Sequence, residues 1–389
     1  MQTDTFPQQA PAALPAAKLI TTSGGLANLV QTLARESIIA VDTESNGLHA
    51  YREQVCLIQF STQAHDYLVD PFELDNLSLL GEIFENPAIE KVFHAADYDI
   101  LCLKRDFGFR FANLFDTMLA ARILGKKTLG LGSLIEAEFG VVLDKRFQRA
   151  DWGRRPISDE MLTYARLDTH YLITLRQQLQ PLLVAQSRWE LAQEDFARLC
   201  SSSEPSETPE GNGPHIPGAH ELTPQQYTVL LELCSYRDQV AHNINRPIFK
   251  VFNAETLLDI ARYCPGNMSE LSKLHGMTHR AVDRHGRQIL SAVRRGLEKE
   301  PIQMPRPPRP SDAYLNRMDR LRNWRKAAAQ KMNVESDVVL PKEIMLQIAE
   351  QAPRELEQLQ VILKDTPWRF QEFGSQILEA IWPPPRRNR

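Results

Sequence analysis

Cysteine is scarce in this 389-residue chain. There are five, an odd number, at Cys56, Cys102, Cys200, Cys234 and Cys264, and no CxxC pair or Cys/His cluster at zinc spacing. That excludes a disulfide framework and a structural zinc site, and reduced thiols are expected. Long apolar runs are also missing, so no segment has the ~20 residues needed to span a bilayer. The start, Met1 to Ala17, is rich in Gln, Pro and Ala and lacks a basic stretch followed by an apolar one. No signal peptide is therefore expected, and a cytoplasmic location follows. A GxxxxGK[ST] loop is absent too, which argues against helicase activity in this chain.

Neither sign of charge dominates, the net being −4, but the distribution is uneven. Residues 221–389 hold 26 Lys+Arg against 20 Asp+Glu, leaving 19 against 29 in the rest of the chain. An acidic part joined to a basic part raises the question of nucleic acid or metal; uneven solvated surface charge is the alternative.

With 43% hydrophobic and 24% charged residues, the chain is globular and too long for one ordinary core. Two stretches break it, one rich in Ser, Pro, Glu and Gly, the other the run PIQMPRPPRP, which cannot be helix or central strand. The expected organisation is a loose tail (1–17), a first domain (18–199), a linker (200–218), a helical domain (219–299), a Pro-rich linker (300–311), a second helical domain (312–382) and a tail (383–389). The first domain reads as α/β. Strands are predicted over Ser37–Glu44, Val55–Ser61, Tyr67–Asp70 and Lys91–His94. A helix is predicted near Asp99–Arg105, and a long one opening at the N-cap Ser158 and running to Leu179.

The two helical domains are related. A gapless shift of 88 residues superimposes Arg237 on Arg325, Asn245 on Asn333, Glu255 on Glu343, Pro265 on Pro353 and Gly286 on Gly374. So many unlike residue types matching under one shift point to a duplicated all-α module.

Three features of the first domain carry chemistry. Asp42-Thr43-Glu44 ends an apolar strand, and residues i and i+2 of a strand share a face, giving two carboxylates for a hard cation. Asp99 stands in the first turn of a helix after a later strand, with Asp97 as the natural N-cap. Tyr164 and Asp168, four apart, share a helix face. Taken singly they read as an acidic strand end, a helix-dipole carboxylate, and a packed Tyr beside a solvated Asp.

Their order changes this. DxE on a strand, then Asp, then YxxxD on a closing helix resembles exonuclease motifs I, II and III of the DEDD superfamily, with Tyr164 marking its DEDDy branch. FHAADYDI, FDTMLAARIL and LDKRFQRADWGRRPISDEMLTYARLD resemble ribonuclease D, apart from Ala150 where that family usually has Ser. The helical repeats resemble HRDC domains, which such enzymes carry in tandem.

The resemblance implies an RNase H-like α/β exonuclease domain (a mixed sheet with helices) followed by two all-α HRDC-type bundles. It implies a 3′→5′ exoribonuclease that trims precursor tRNA and other small structured RNAs and releases 5′-nucleoside monophosphates. Two divalent ions, Mg²⁺ or Mn²⁺, would be held by Asp42, Glu44, Asp99 and Asp168, with Tyr164 positioning the attacking water. Arg146, Gln148, Arg149 and Arg154, with Lys145 and Arg155, could grip the 3′-terminal nucleotides. Phe147 and Trp152 could stack bases, with core packing the alternative for Trp152. Arg280, Arg284, Arg287 and Arg325 are candidate phosphate contacts, and His94 reads as structural. A monomer without membrane attachment is expected, and removing residues 219–389 should leave activity on short single strands. The rivals are a DNA 3′→5′ exonuclease or proofreader and a catalytically silent nucleic-acid-binding relative.

Overall fold

The computed structural model describes residues 16–201, 216–305 and 309–383. Most of both tails and of the first predicted linker lies outside them. By compactness the chain forms two units, one of residues 1–44, 55–204 and 309–389, the other of 45–54 and 205–308.

In the first unit six strands make one sheet: β1 (Lys18–Ile20), β2 (Ile38–Ser45), β3 (Val55–Ser61), β4 (Asp66–Val69), β5 (Glu90–Phe93) and β6 (Leu114–Asp116), in the order β1-β4-β3-β2-β5-β6. β3 and β4 are antiparallel, while β1–β4, β2–β5 and β5–β6 are parallel. The sheet is mixed, as expected. The predicted strands lie within one residue of the observed ones, and three-residue β1 and β6 are too short to show a period. Eight helices accompany it: α1 (Ser23–Leu33), α2 (Ser78–Glu85), α3 (Asp97–Phe107), α4 (Thr117–Ile123), α5 (Leu131–Phe139), α6 (Asp159–His170), α7 (Leu172–Ala185) and α8 (Trp189–Ser201).

Alternation along the strands builds a core on each face. Ile39, Val41 and Phe93 pack with Leu33 of α1, Phe84 of α2 and Leu103 of α3. Ala40, Val92 and Phe115 pack with Ala120 of α4, Leu175 of α7 and Phe196 of α8. The single helix predicted from Ser158 to Leu179 is in fact two, α6 and α7, parted at Tyr171. The break has a packing reason: Tyr164 and Ala165 of α6 join a cluster with Leu57, Leu68 and Trp152, whereas Leu172, Leu175 and Leu179 face the other core.

The last helical module, α14 (Asp312–Met332), α15 (Ser336–Val339), α16 (Lys342–Gln351), α17 (Leu356–Ile362) and α18 (Pro367–Ile381), belongs to this first unit. Its Val338 is part of the sheet-side core, and Trp368 packs against both that core and the module's own. Arg369 is fully buried. Its guanidinium donates to Glu194 (2.5 Å), Asp195 (2.9 Å) and the carbonyls of Val338 (2.8 Å) and Val339 (3.2 Å). Arg188 bridges the carbonyls of Ile123 (2.6 Å) and Met332 (2.5 Å). Arg122 pairs with Glu335 and Asp337, and Arg198 with Glu343.

The second unit contains α9 (Pro224–Asn243), α10 (Ile248–Val251), α11 (Ala254–Tyr263), α12 (Met268–Leu271) and α13 (His279–Glu298). Residues 45–54 belong to it. The Tyr51 hydroxyl donates to Asp238 (2.9 Å), its backbone N–H donates to Asn245 Oδ1 (3.1 Å), and its ring meets His242 edge-on at 5.2 Å.

The duplication is borne out at the level of backbone. Shifted by 88, α10 coincides with α15 and α11 with α16, while α13 and α18 start at equivalent positions. The left-handed residues match too: Asn245 with Asn333 (φ 45° and 53°) and Cys264 with Ala352 (φ 44° and 49°). The paired arginines turn inward in both copies, Arg237 to the Phe252 carbonyl (3.4 Å) and Arg325 to that of Ser336 (2.6 Å). Arg325 therefore fastens its own module and is not the exposed phosphate contact expected from the sequence.

Candidate active site

The sheet brings the predicted carboxylates to one edge. β2 and β5 run parallel with Ala40 opposite Val92, so both end on the same side, where α/β sheets bind ligands. Asp42 and Glu44 follow Ala40 at alternate positions on β2. Beyond β5 the chain turns through Ala95 (φ 62°) into α3, and Asp99 lies buried in that helix's first turn. The N-cap of α3 is Ala96 without a side-chain bond, so Asp97 is not the cap expected, because the turn places it one residue inside the helix. Ser158 does cap α6, accepting from the Met161 N–H (3.3 Å).

Helix α6 is pinned on its sheet side. Thr169 bonds Ser61 (2.7 Å), His170 bonds the Asp66 carboxylate (3.0 Å) and Arg166 lies 3.5 Å from it. That fixes the helix rotation, with Tyr164 and Asp168 one turn apart on the same side.

The four carboxylates are close enough for most of them to perturb one another. Burial raises Asp42 well above the ordinary range, and Asp99, Asp168 and Glu44 raise it further. Burial, then Asp168 and Asp99, pushes Glu44 up to about 9. Asp168 is raised by burial and by Asp99, and Asp99 chiefly by burial. The Tyr164 phenol is pushed up by burial and by Asp168, Glu44 and Asp42, so it stays protonated. Among the described residues no group of three or more His, Cys, Asp or Glu side chains is arranged to hold a metal ion as it stands. The chemistry of the donors nonetheless fits hard divalent cations: largely desolvated, mutually repelling carboxylate oxygens, with no basic side chain among the groups that perturb them.

Two features escaped the sequence reading. Thr43, between the two motif carboxylates, donates its hydroxyl to Asp99; a hydroxyl between two acids carries no periodic signal. Asp116 accepts four backbone N–H bonds at the base of the site and is taken up below.

Around this centre the other candidates divide. Gln148 and Lys145 line a cavity of about 130 Å³ together with Ser133, Tyr164 and Asp168. Arg146, Arg149 and Arg154 are exposed on the neighbouring loop, Arg146 beside Asp144 (2.6 Å) and Arg154 beside Asp151 (3.3 Å). Arg155 instead clamps Asp70 (2.6 Å) and the Cys56 carbonyl (2.8 Å), a structural role. Trp152 is core, 1% exposed and packed near Tyr164, and Phe147 meets the Tyr164 ring edge-on at 5.9 Å. His94 is structural: its Nδ1 bonds Thr117 Oγ1 (2.9 Å), and burial lowers its pKa to about 4. In the second unit, Arg280, Arg284 and Arg287 lie on the exposed face of α13, opposite buried Ile289 and Val293. None of the five cysteines forms a disulfide, and no helix among the described residues is long and apolar enough to cross a membrane.

Comparison with known proteins agrees with this layout. Residues 17–184 match a 3'-5' exonuclease family model, and residues 226–293 and 315–381 each match the HRDC domain. Ribonuclease D of Pseudomonas paraeruginosa is 28% identical over 94% of this chain and 98% of its own. The exosome complex exonuclease RRP6 of Saccharomyces cerevisiae is 31% identical over 72% of this chain but only 40% of its own length. The chain spans less than half of such exosome-type relatives. The crystal structure of the catalytic core of RRP6 from Trypanosoma brucei superimposes with a TM-score of 0.65 at 30% identity, covering 75% of this chain and 82% of that one. Escherichia coli RNase D shares the fold, with a TM-score of 0.70 at 24% identity over 96% and 100% of the chains. With a 3′-5′ exonuclease domain on a mixed sheet, followed along the chain by two HRDC domains, the chain belongs to the family of 3′-5′ exonucleases that includes RRP6 and ribonuclease D.

Proposed function

We propose that this protein is a 3′→5′ exoribonuclease that trims the 3′ ends of structured RNAs, precursor tRNA among them, and releases 5′-nucleoside monophosphates. The observation that carries the reading is the convergence of four carboxylates from three separate segments, Asp99 buried and Asp42, Glu44 and Asp168 half-buried, each raised by desolvation and most by one another. A cluster so costly to ionise is explained by cations that it must hold. Bound there, a pair of Mg²⁺ or Mn²⁺ ions supplies an activated water and stabilises charge on the leaving oxygen.

The chain's own groups divide the remaining work. Asp42 feels all three other carboxylates, the position a ligand shared by both ions requires. Thr43 holds Asp99 in orientation. Tyr164, kept protonated, donates to and places the attacking water. Gln148 and Lys145 face the same cavity and would hold the terminal nucleotide, with Arg146, Arg149 and Arg154 on the strand behind it. The protein would act as a monomer, and the bacterial ribonuclease D relatives suggest the cytoplasm.

The test uses one 5′-labelled RNA with a 3′ extension and the matching DNA, incubated with wild type and Asp42→Ala in Mg²⁺, Mn²⁺ or EDTA. A ladder shrinking from the 3′ end of RNA alone, abolished by EDTA and by the substitution, is expected. Equal trimming of DNA would move the reading to a DNA exonuclease, and binding without trimming would remove the mechanism.

The basic face of α13 gives a second expectation. Replacing Arg280, Arg284 and Arg287 together with Gln should weaken binding of structured RNA and reduce its log–log salt slope by about 2, at roughly 0.7–0.9 per phosphate contact. Trimming of a tetranucleotide should be unaffected. An unchanged slope in filter binding would remove α13 from the interface.

A further inference from the structure

Resting on the metal-ion reading above, we propose that Asp116 is a positioning residue for Asp99: it clamps the strained turn that delivers this ligand, without itself touching metal or substrate. Asp116 ends β6 opposite Phe93 of β5 and is 1% exposed. Its carboxylate accepts from the N–H groups of Ala95 (3.2 Å) and Ala96 (2.7 Å), the last two of the three residues between β5 and α3. It also caps α4, accepting from Met118 (2.8 Å) and Leu119 (3.0 Å). Thr117 completes the clamp by donating its hydroxyl to the Phe93 carbonyl (3.0 Å).

The turn needs holding. Ala95 has φ 62°, a left-handed conformation that costs a non-glycine residue on the order of 1 kcal/mol. The turn sets the entry of α3 and hence the place of Asp99 four residues on. A carboxylate can receive all four N–H groups, whereas an amide has only one acceptor oxygen and turns an NH₂ toward donors. Residues that orient a metal's ligands typically change affinity or activity 10–100-fold when altered.

Full-length Asp116→Asn is compared with wild type by calorimetric titration of Mn²⁺ without RNA, by the split of kcat and KM on a labelled RNA, and by thermal melting. Mn²⁺ affinity and kcat should each fall at least about 10-fold, with KM for RNA changed less than about threefold. Ala95→Gly, which adopts the left-handed turn freely, should restore much of the Mn²⁺ affinity when combined with Asp116→Asn. A purely structural role would let that second change raise the melting temperature and leave affinity low, and this result would overturn the proposal. Should Asp116→Asn fail to fold, Ala95→Val attacks the same turn from a half-exposed position. It should weaken Mn²⁺ binding likewise, and wild-type affinity there would also overturn it. Failure of the underlying reading looks different: wild type itself would then bind no Mn²⁺.

Discussion

Arg369→Ala should destabilise the unit that carries the catalytic sheet by about 3–5 kcal/mol, the usual cost of breaking a buried ion pair by removing one partner. The melting temperature of that unit would fall on the order of 10 °C. Glu194 and Asp195, on α8, both pair with this guanidinium, and Asp195 also with Arg198 (3.2 Å). Glu194 is only 6% exposed and also accepts from the Trp368 N–H (2.8 Å). Without Arg369 these carboxylates would stay charged in a buried place or take up protons. Removing all three charges together, as Arg369→Met with Glu194→Gln and Asp195→Asn, should recover most of the loss, because the penalty is an uncompensated charge rather than a missing attraction. Denaturant melts of the two variants decide it; a loss below about 1 kcal/mol for Arg369→Ala would mean that the ion cluster does not hold the module in place.

The same cluster changes one expectation drawn from the sequence. Deleting residues 219–389 was expected to leave a working nuclease for short strands. That cut removes Arg369, Val338 and Trp368, and with them part of a core shared with α7 and α8. A stable short enzyme is instead expected to need residues 309–383.

The second large effect joins activity and stability with opposite signs. Asp42→Asn should lower kcat by more than about 10³-fold, since it removes the carboxylate that all three others perturb and, on the proposed mechanism, the several kcal/mol of charge stabilisation that metal ions supply. The metal-free protein should nonetheless become more stable. The sign follows from proton counting. The site carboxylates titrate higher when folded than when unfolded, Glu44 near 9. Between the ordinary carboxylate range and about pH 9 the folded state therefore binds more protons, and stability falls as pH rises. Metal-free wild type should melt progressively lower from pH 6 to pH 9. Mn²⁺ should reverse the trend, and Asp42→Asn should flatten it. Identical pH profiles for wild type and variant in EDTA would contradict the charge repulsion inferred for the site.

The chemistry was legible because each motif sits where local rules apply. A strand's two-residue period placed Asp42 and Glu44 together, the helical repeat placed Tyr164 with Asp168, and Ser158 marked the start of α6. What stayed hidden depends on tertiary contacts. Thr43 and Asp116 act through bonds to distant segments, 56 residues away for Thr43, and no spacing announces them. Tyr171 breaks a helix whose pattern runs on, because the segments on either side of it serve different cores. Basic residues misled most. Arg155 and Arg325 carry the same charge as Arg146 or Arg284, yet the fold turns Arg155 onto Asp70 and the Cys56 carbonyl and Arg325 onto the Ser336 carbonyl.

The pairing of the two repeats has a consequence for their history. Both copies keep the same left-handed residues and the same inward arginine, so the scaffold was inherited intact. The later copy has its outer residues committed to α7 and α8, and each substitution there must match the nuclease wall. The earlier copy belongs to the second unit, and its α13 keeps an exposed row of arginines. Once one twin became masonry, only the other was left to drift toward ligands. Exchanging the two modules should therefore damage the enzyme from both sides, loosening the nuclease and blunting its hold on RNA.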